Sequence, residues 1–160
     1  LVPVLMTKGL DAPAAAKLAG VLGLSVIIGR VGAGMLLDRF WAPGICAAVF
    51  LLPIVGFNML YIDQPAVWQL ALAVALCGIA AGAEYDFLAY FVARYFGLAN
   101  YGKIFSLIIL PLTIATSAGA ILGGRVLDET GSLNAVVPAF TIATLFAAAL
   151  PLALGRYPRQ

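Results

Sequence analysis

Apolar residues fill five long stretches of this chain, and short polar segments separate them. The stretches cover approximately residues 15–37, 43–62, 66–95, 103–127 and 135–154. A run of roughly 20 apolar residues crosses the hydrocarbon layer of a membrane as a helix. Because the connecting segments are short, successive helices are predicted to be antiparallel neighbours. The pattern predicts an all-α membrane protein in which residues 1–160 form one antiparallel transmembrane helix bundle.

Composition supports a lipid environment. Of the 160 residues, 64% are hydrophobic and 10% are charged, whereas soluble domains average about 45–50% apolar and about 25% charged residues. The lipid bilayer is therefore an expected partner. A net charge of +2 without a basic patch argues against nucleic acid. The chain has no histidine, and Cys46 and Cys77 lie in apolar runs, so we expect no metal or cofactor.

The first ten residues lack the basic start and the uninterrupted apolar core of a signal peptide. They are typical of the last turns of a further helix, so we expect a fragment of a larger chain that contains the end of a sixth span. Basic residues favour one side of the five spans. By the positive-inside rule, their bias places the C-terminus in the cytoplasm. We expect an integral protein of a bacterial inner (plasma) membrane.

Polar and small residues share one helical face in the first, third and fourth spans. The faces hold Gly23, Arg30 and Gly34 in the first span, Gly82, Asp86 and Tyr90 in the third, and Ser106, Thr113, Ser117, Ala120 and Gly124 in the fourth. The second and fifth spans are apolar nearly all round and look like lipid-facing supports. This sorting predicts a polar cavity between the first, third and fourth spans. Glycine pairs at 78/82 and 119/123 have the spacing that lets helix backbones approach closely.

Three segments resemble one family of transporters. The end of the first span, GRVGAGMLLDRF, resembles the loop signature of the major facilitator superfamily through Gly34, Leu36, Asp38 and Arg39. The usual following glycine and basic pair are replaced by FWAP. The segments GAEYDFLAYFVARYFGLANYGKIFS and GGRVLDETGSLNAVVPAF resemble the tenth helix with its loop and the link between the last two helices. The pieces RYFG and NYGKIFS are closest to the monocarboxylate and oxalate/formate branch.

The resemblance implies that the chain is the C-terminal six-helix half of a twelve-helix transporter. The missing N-terminal half would then be its partner. The implied function is secondary active transport of a small organic anion of the carboxylate type by alternating access, driven by proton coupling or by exchange. A scaffold subunit without transport activity is one alternative. A membrane-embedded enzyme is another, although the sequence contains no catalytic constellation.

Arg30 is the predicted anchor for the anion, because guanidinium stays charged and binds carboxylate through two parallel hydrogen bonds. The related branch uses an arginine at the matching place. Alternatively, Arg30 extends to the membrane interface or only pairs with the third span. The other predicted substrate-binding residues are Asp86, Tyr90, Thr113 and Ser117, although the hydroxyls of the last two could bond back to their own helix.

Glu84 and Asp86 are the predicted proton-coupling residues. Two positions on one helix lie roughly 200° apart, so these carboxyls cannot both face one cavity, and the sequence does not decide between them. Either could instead be structural. Asp38, Arg39 and Arg94 lie at predicted cytoplasmic helix ends, and the resemblance implies an ion-paired latch there. Unpaired anchors at the headgroup level are the alternative.

Overall fold

The computed structural model describes residues 1–60, 62, 64–130 and 136–155, and of residue 60 it describes the backbone. Every element within these ranges is helical. The helices are α1 (Val2–Thr7), α2 (Ala12–Leu37), α3 (Ala42–Leu60), α4 (Val67–Phe96), α5 (Tyr101–Thr130) and α6 (Val137–Ala149), followed by a 3₁₀ segment at Leu150–Leu154. Among the described residues, five helical stretches are long and apolar enough to cross a membrane. The prediction of an all-helical chain with five helices of membrane-spanning length and composition is confirmed for the described residues.

Local sequence explains where these helices start and stop. The Asp11 carboxylate accepts a hydrogen bond of 3.0 Å from the backbone N–H of Ala14 and caps the start of α2. The Gln69 side-chain oxygen accepts a 2.8 Å bond from the N–H of Ala66 before α4. Gly97 ends α4 with φ of 74°, a left-handed conformation that glycine adopts without strain. The predicted start of the last span, residue 135, lies outside the described residues.

Helix α4 is the centre of the bundle. Helix α2 packs along one side of it and α3 along another, while α6 packs on α3. One core cluster joins Leu37, Ala42, Cys46 and Phe87, and a second joins Leu18 to Leu70. The starts of α2 and α4 therefore lie together, so these two helices run parallel and α3 runs opposite to both. The predicted alternation of direction is correct, but the main neighbour of α2 is α4 and not α3.

Glycine packing brings α2 and α4 unusually close. A Cβ atom added at Gly82 would overlap the Val26 carbonyl, and one at Gly29 would overlap the Ile79 carbonyl. A Cβ at Gly78 would lie 2.7 Å from the Cβ of Ser25. The predicted close-packing role of Gly78 and Gly82 is confirmed. Their counterparts on α2 are Ser25, Gly29 and Ala33, which are buried at the same four-residue spacing.

Helix α5 differs from the other long helices. It contacts α4, and none of its residues is buried. Nothing lies within 4 Å of a Cβ added at Gly119 or Gly123. The close contact predicted for this glycine pair is therefore not formed within the part of the chain that the structure describes.

The short helix α1 lies where the sequence predicts the last turns of a sixth span. Leu5 is fully buried and packs with Ala15 and Leu18 of α2 and with Leu70 of α4. The Lys8 ammonium donates a 3.4 Å hydrogen bond to the carbonyl of Ile62. These contacts fix α1 at the end of the bundle where α2 and α4 begin. That α1 belongs to a longer membrane span stays a prediction.

Candidate functional site

Arg30 and Asp86 meet across the interface of α2 and α4. The Nε atom of Arg30 lies 3.8 Å from Oδ2 of Asp86, a distance that allows ionic attraction but exceeds a hydrogen bond. The glycine contacts on either side set this geometry, since Gly29 precedes Arg30 and Gly82 lies one turn before Asp86. This contact is the pairing of Arg30 with the third span that the sequence left open as an alternative.

The two partners are unequally exposed. The Arg30 side chain is 58% exposed and the Asp86 side chain 34%. Oδ2 of Asp86 is itself buried and has no hydrogen-bond partner among the described residues. A carboxylate oxygen in that position is stabilised by the nearby guanidinium charge and by little else. The guanidinium keeps donors available for a second anion because its contact to Asp86 is loose.

Tyr90 and Arg94 continue the polar stripe of α4 beyond Asp86. Nε of Arg94 donates a 3.4 Å hydrogen bond to the Tyr90 hydroxyl, and its guanidinium carbon lies 5.6 Å from the centre of the Tyr90 ring. Tyr90 also packs against the core cluster around Phe87. Asp86, Tyr90 and Arg94 thus follow one another at four-residue spacing along α4, and Arg30 of α2 lies beside Asp86.

Glu84 lies on a different side of α4. It lines two cavities between α4, α3 and α6, one of which also reaches α5. The α4 residues Cys77, Ala80, Leu88 and Phe91 contribute to the walls of these cavities. Asp86 is therefore the carboxyl beside Arg30, and Glu84 has no hydrogen bond or ion pair to any described residue.

Thr113 and Ser117 lie exposed on α5 and bond back to their own helix. The Thr113 hydroxyl donates a 2.9 Å hydrogen bond to the Ile109 carbonyl, and the Ser117 hydroxyl donates a 2.9 Å bond to the Thr113 carbonyl. The hydroxyl protons are thereby used within α5, which is the alternative left open by the sequence. The structure does not bring these residues to Arg30, so their role in substrate binding stays a prediction.

The latch residues lie at one end of the bundle. Asp38 follows the last residue of α2, and Arg94 lies in the last turn of α4. Within the described part of the chain, no ion pair joins Asp38 to Arg94 or Arg39 to an acidic group. A latch closes in one conformation and opens in another, so a latch formed by Asp38, Arg39 and Arg94 stays a prediction.

Two features of the packing differ from the sequence analysis. The second span was expected to be a lipid-facing support, yet α3 lies between α4 and α6 with Ala42, Cys46 and Val49 buried. The sequence analysis did not identify Ser25, Gly29 and Ala33 as the residues of α2 that pack against α4. Their four-residue spacing places three small side chains on one helix face, a pattern that indicates close helix packing.

The described residues form a helical fold in which five helices are long and apolar enough to cross a membrane, which indicates a membrane protein. Comparison with models of protein families, with curated proteins and with solved structures finds no match to this chain. Membership of the major facilitator superfamily accordingly remains a prediction that depends on the three segments described above.

Proposed function

We propose that this chain is the C-terminal half of a secondary transporter of the major facilitator type, which moves a small organic anion of the carboxylate type by alternating access. The observation that carries the proposal is the Arg30 side chain, which is 58% exposed and whose Nε lies 3.8 Å from Oδ2 of Asp86. Arg30 lies roughly 12 Å along the helix from Asp38. A fixed cation at such depth is costly in lipid and is typical of an ion or substrate pathway.

The geometry supports a simple exchange of partners. An incoming carboxylate binds the available donors of Arg30 in a bidentate manner and competes with Asp86 for the positive charge. Once Arg30 is neutralised by the substrate, Oδ2 of Asp86 is a buried anion without a partner. Proton uptake by Asp86 relieves that cost, so that an anion and a proton would move together. If Asp86 stays ionised, the same site supports exchange of one anion for another.

Glu84 is the second candidate for proton coupling. A proton-coupling group must respond directly to occupancy of the anion site. Asp86 is favoured for this role because it lies beside Arg30, whereas Glu84 lies on another side of α4. In this proposal the missing N-terminal half supplies the facing wall of the pathway. The protein lies in a bacterial inner membrane with a cytoplasmic C-terminus.

Uptake by the complete protein in proteoliposomes tests the anion site. We expect Arg30→Gln to lower uptake of radiolabelled acetate, lactate or oxalate by about ten-fold or more, the loss that corresponds to one charged hydrogen-bonding partner. Arg30→Lys retains the charge but loses the planar pair of donors, so its uptake should lie between that of the unsubstituted protein and that of Arg30→Gln. Arg125→Gln, which removes an exposed charge from α5, is the matched control. Normal uptake by Arg30→Gln would favour the scaffold alternative.

A further inference from the structure

A cavity that the transport proposal does not use lies between α3, α4, α5 and α6. Its volume is about 580 Å³, within the range of about 300–1,000 Å³ typical of sites for small organic ligands. Phe50, Phe87 and Phe91 contribute aromatic walls, and aliphatic side chains from α5 and the C-terminal 3₁₀ segment complete them. The ionisable groups on this surface are the Glu84 carboxyl and the Cys46 thiol.

A second cavity of about 400 Å³ adjoins the first and shares Phe50, Glu84 and Ala147 with it. Glu84 therefore borders both spaces. Because it has no polar partner among the described residues, its carboxyl is a hydrogen-bond acceptor available to a ligand in either cavity. An apolar concavity with a convergent polar group is a usual form of a small-molecule site.

Charge complementarity defines the ligand. A carboxylate surrounded by hydrocarbon is stabilised by a paired cation. The faces of aromatic rings also attract ammonium groups. An anion would find no basic side chain among the lining residues, and a fully apolar molecule would leave the Glu84 carboxyl without a hydrogen bond. A basic amine forms an ion pair with this carboxyl whether the proton arrives on the amine or is transferred to it from a neutral Glu84.

The depth of Glu84 favours a small molecule over a lipid headgroup. Glu84 lies roughly 26 Å along α4 from Val67 and roughly 18 Å from Phe96 at about 1.5 Å per residue. It is thus close to the middle of this long helix. Phospholipid headgroups lie at the membrane surface, whereas a compact molecule can enter the hydrocarbon region with its charged group paired.

We propose that this cavity binds a lipophilic amine, with the protonated amine against Glu84 and the apolar body along Phe50 and Phe91. The proposal goes beyond transport of an organic anion and does not depend on it. Arg30 and Asp86 lie on another side of α4, so loss of the anion site leaves this cavity intact.

Equilibrium binding to the purified complete protein in nanodiscs of phosphatidylcholine tests the proposal. The probes are 1-naphthylmethylamine and 1-naphthylmethanol, which share an aromatic body and differ in the charged group. We expect saturable binding of the amine, with the alcohol bound about ten-fold more weakly or worse. Equal binding of the two probes would overturn the assignment of Glu84 as the recognition group.

Substitutions distinguish the contribution of the Glu84 charge to binding from that of the shape of the cavities. Glu84→Gln should weaken amine binding about ten-fold or more and leave alcohol binding unchanged. Glu129→Gln, the same change at an exposed position of α5, should alter neither. Ala147→Phe places a bulky ring in both cavities and should abolish binding of both probes. Unchanged amine affinity in Glu84→Gln, or in a correctly folded Ala147→Phe protein, contradicts the proposal.

Two further measurements show whether a lipid amine occupies the cavity and whether the amine site and the anion site are independent. Phosphatidylethanolamine in the nanodiscs should not compete with 1-naphthylmethylamine, and full competition would mean that a lipid amine occupies the site instead. Arg30→Gln should leave amine binding unchanged even though it lowers anion uptake. Loss of amine binding in Arg30→Gln would show that the two sites are not separate.

Discussion

At the scale of single residues, Asp86 is the group whose substitution is most informative. In Asp86→Asn, Arg30 loses the carboxylate 3.8 Å away while the side-chain volume is kept. Because the pair is loose and partly exposed, we expect a stability change of only about 0.2–1 kcal/mol. Exchange of labelled anion across the membrane should persist, whereas uptake driven by a proton gradient should be lost, because the amide cannot accept a proton.

Measurement of counterflow and of gradient-driven uptake in the same proteoliposomes checks this expectation. Asp128→Asn, at an exposed position on α5, should preserve both activities. Glu84→Gln distinguishes the two carboxyls. If Glu84→Gln loses gradient-driven uptake and Asp86→Asn retains it, proton coupling belongs to Glu84 and the partner exchange proposed for Arg30 is incorrect.

At the scale of helices, the contact between α2 and α4 depends on glycine at defined positions. In Gly29→Ala the added Cβ would overlap the Ile79 backbone carbonyl, and a backbone cannot move aside as a flexible side chain can. The two helices must separate, which we expect to cost about 1–3 kcal/mol as overpacking does in other cores. Gly32→Ala is the matched control on the same helix, since nothing lies within 4 Å of its added Cβ.

Thermal unfolding of the purified variants in detergent checks this prediction. Gly32→Ala should be neutral or stabilising by up to about 1 kcal/mol, because alanine favours the helix over glycine. A melting temperature of Gly29→Ala equal to that of Gly32→Ala would mean that α2 and α4 do not pack as closely as described.

The elements were more predictable than their contacts. Five runs of apolar residues fixed the spans to within a few residues, since helices satisfy every backbone hydrogen bond inside a bilayer. The opposite sides of α4 that hold Glu84 and Asp86 also follow from helical geometry. Apolar periodicity did not reveal that α3 lies between α4 and α6, because a helix that is apolar all round suits lipid and protein neighbours equally. The contact between Gly29 and Ile79 required the three-dimensional register of two helices.

At the scale of the whole molecule, the helix ends and the loops between them lie at two opposite ends of the bundle. The end of α2 packs with the start of α3 around Leu37 and Ala42. The Tyr95 hydroxyl lies 3.3 and 3.2 Å from the carbonyl oxygens of Leu154 and Gly155, which share its one proton as acceptors. This contact joins the end of α4 to the C-terminal 3₁₀ segment. At the opposite end, Lys8 contacts Ile62. Asn58 and Val137 border a common cavity there.

This arrangement, combined with the positive-inside rule, predicts which loops a membrane-impermeant maleimide can reach. The background replaces Cys46 and Cys77 by alanine, and single cysteines are then introduced as Phe40→Cys, Leu98→Cys, Ile62→Cys or Glu129→Cys at exposed positions. In intact spheroplasts, Ile62→Cys and Glu129→Cys should be labelled, and Phe40→Cys and Leu98→Cys should react only after permeabilisation. The reversed pattern would invert the proposed orientation while keeping five spans. A mixed pattern within either pair would contradict the bundle itself, because each pair lies at one end of it.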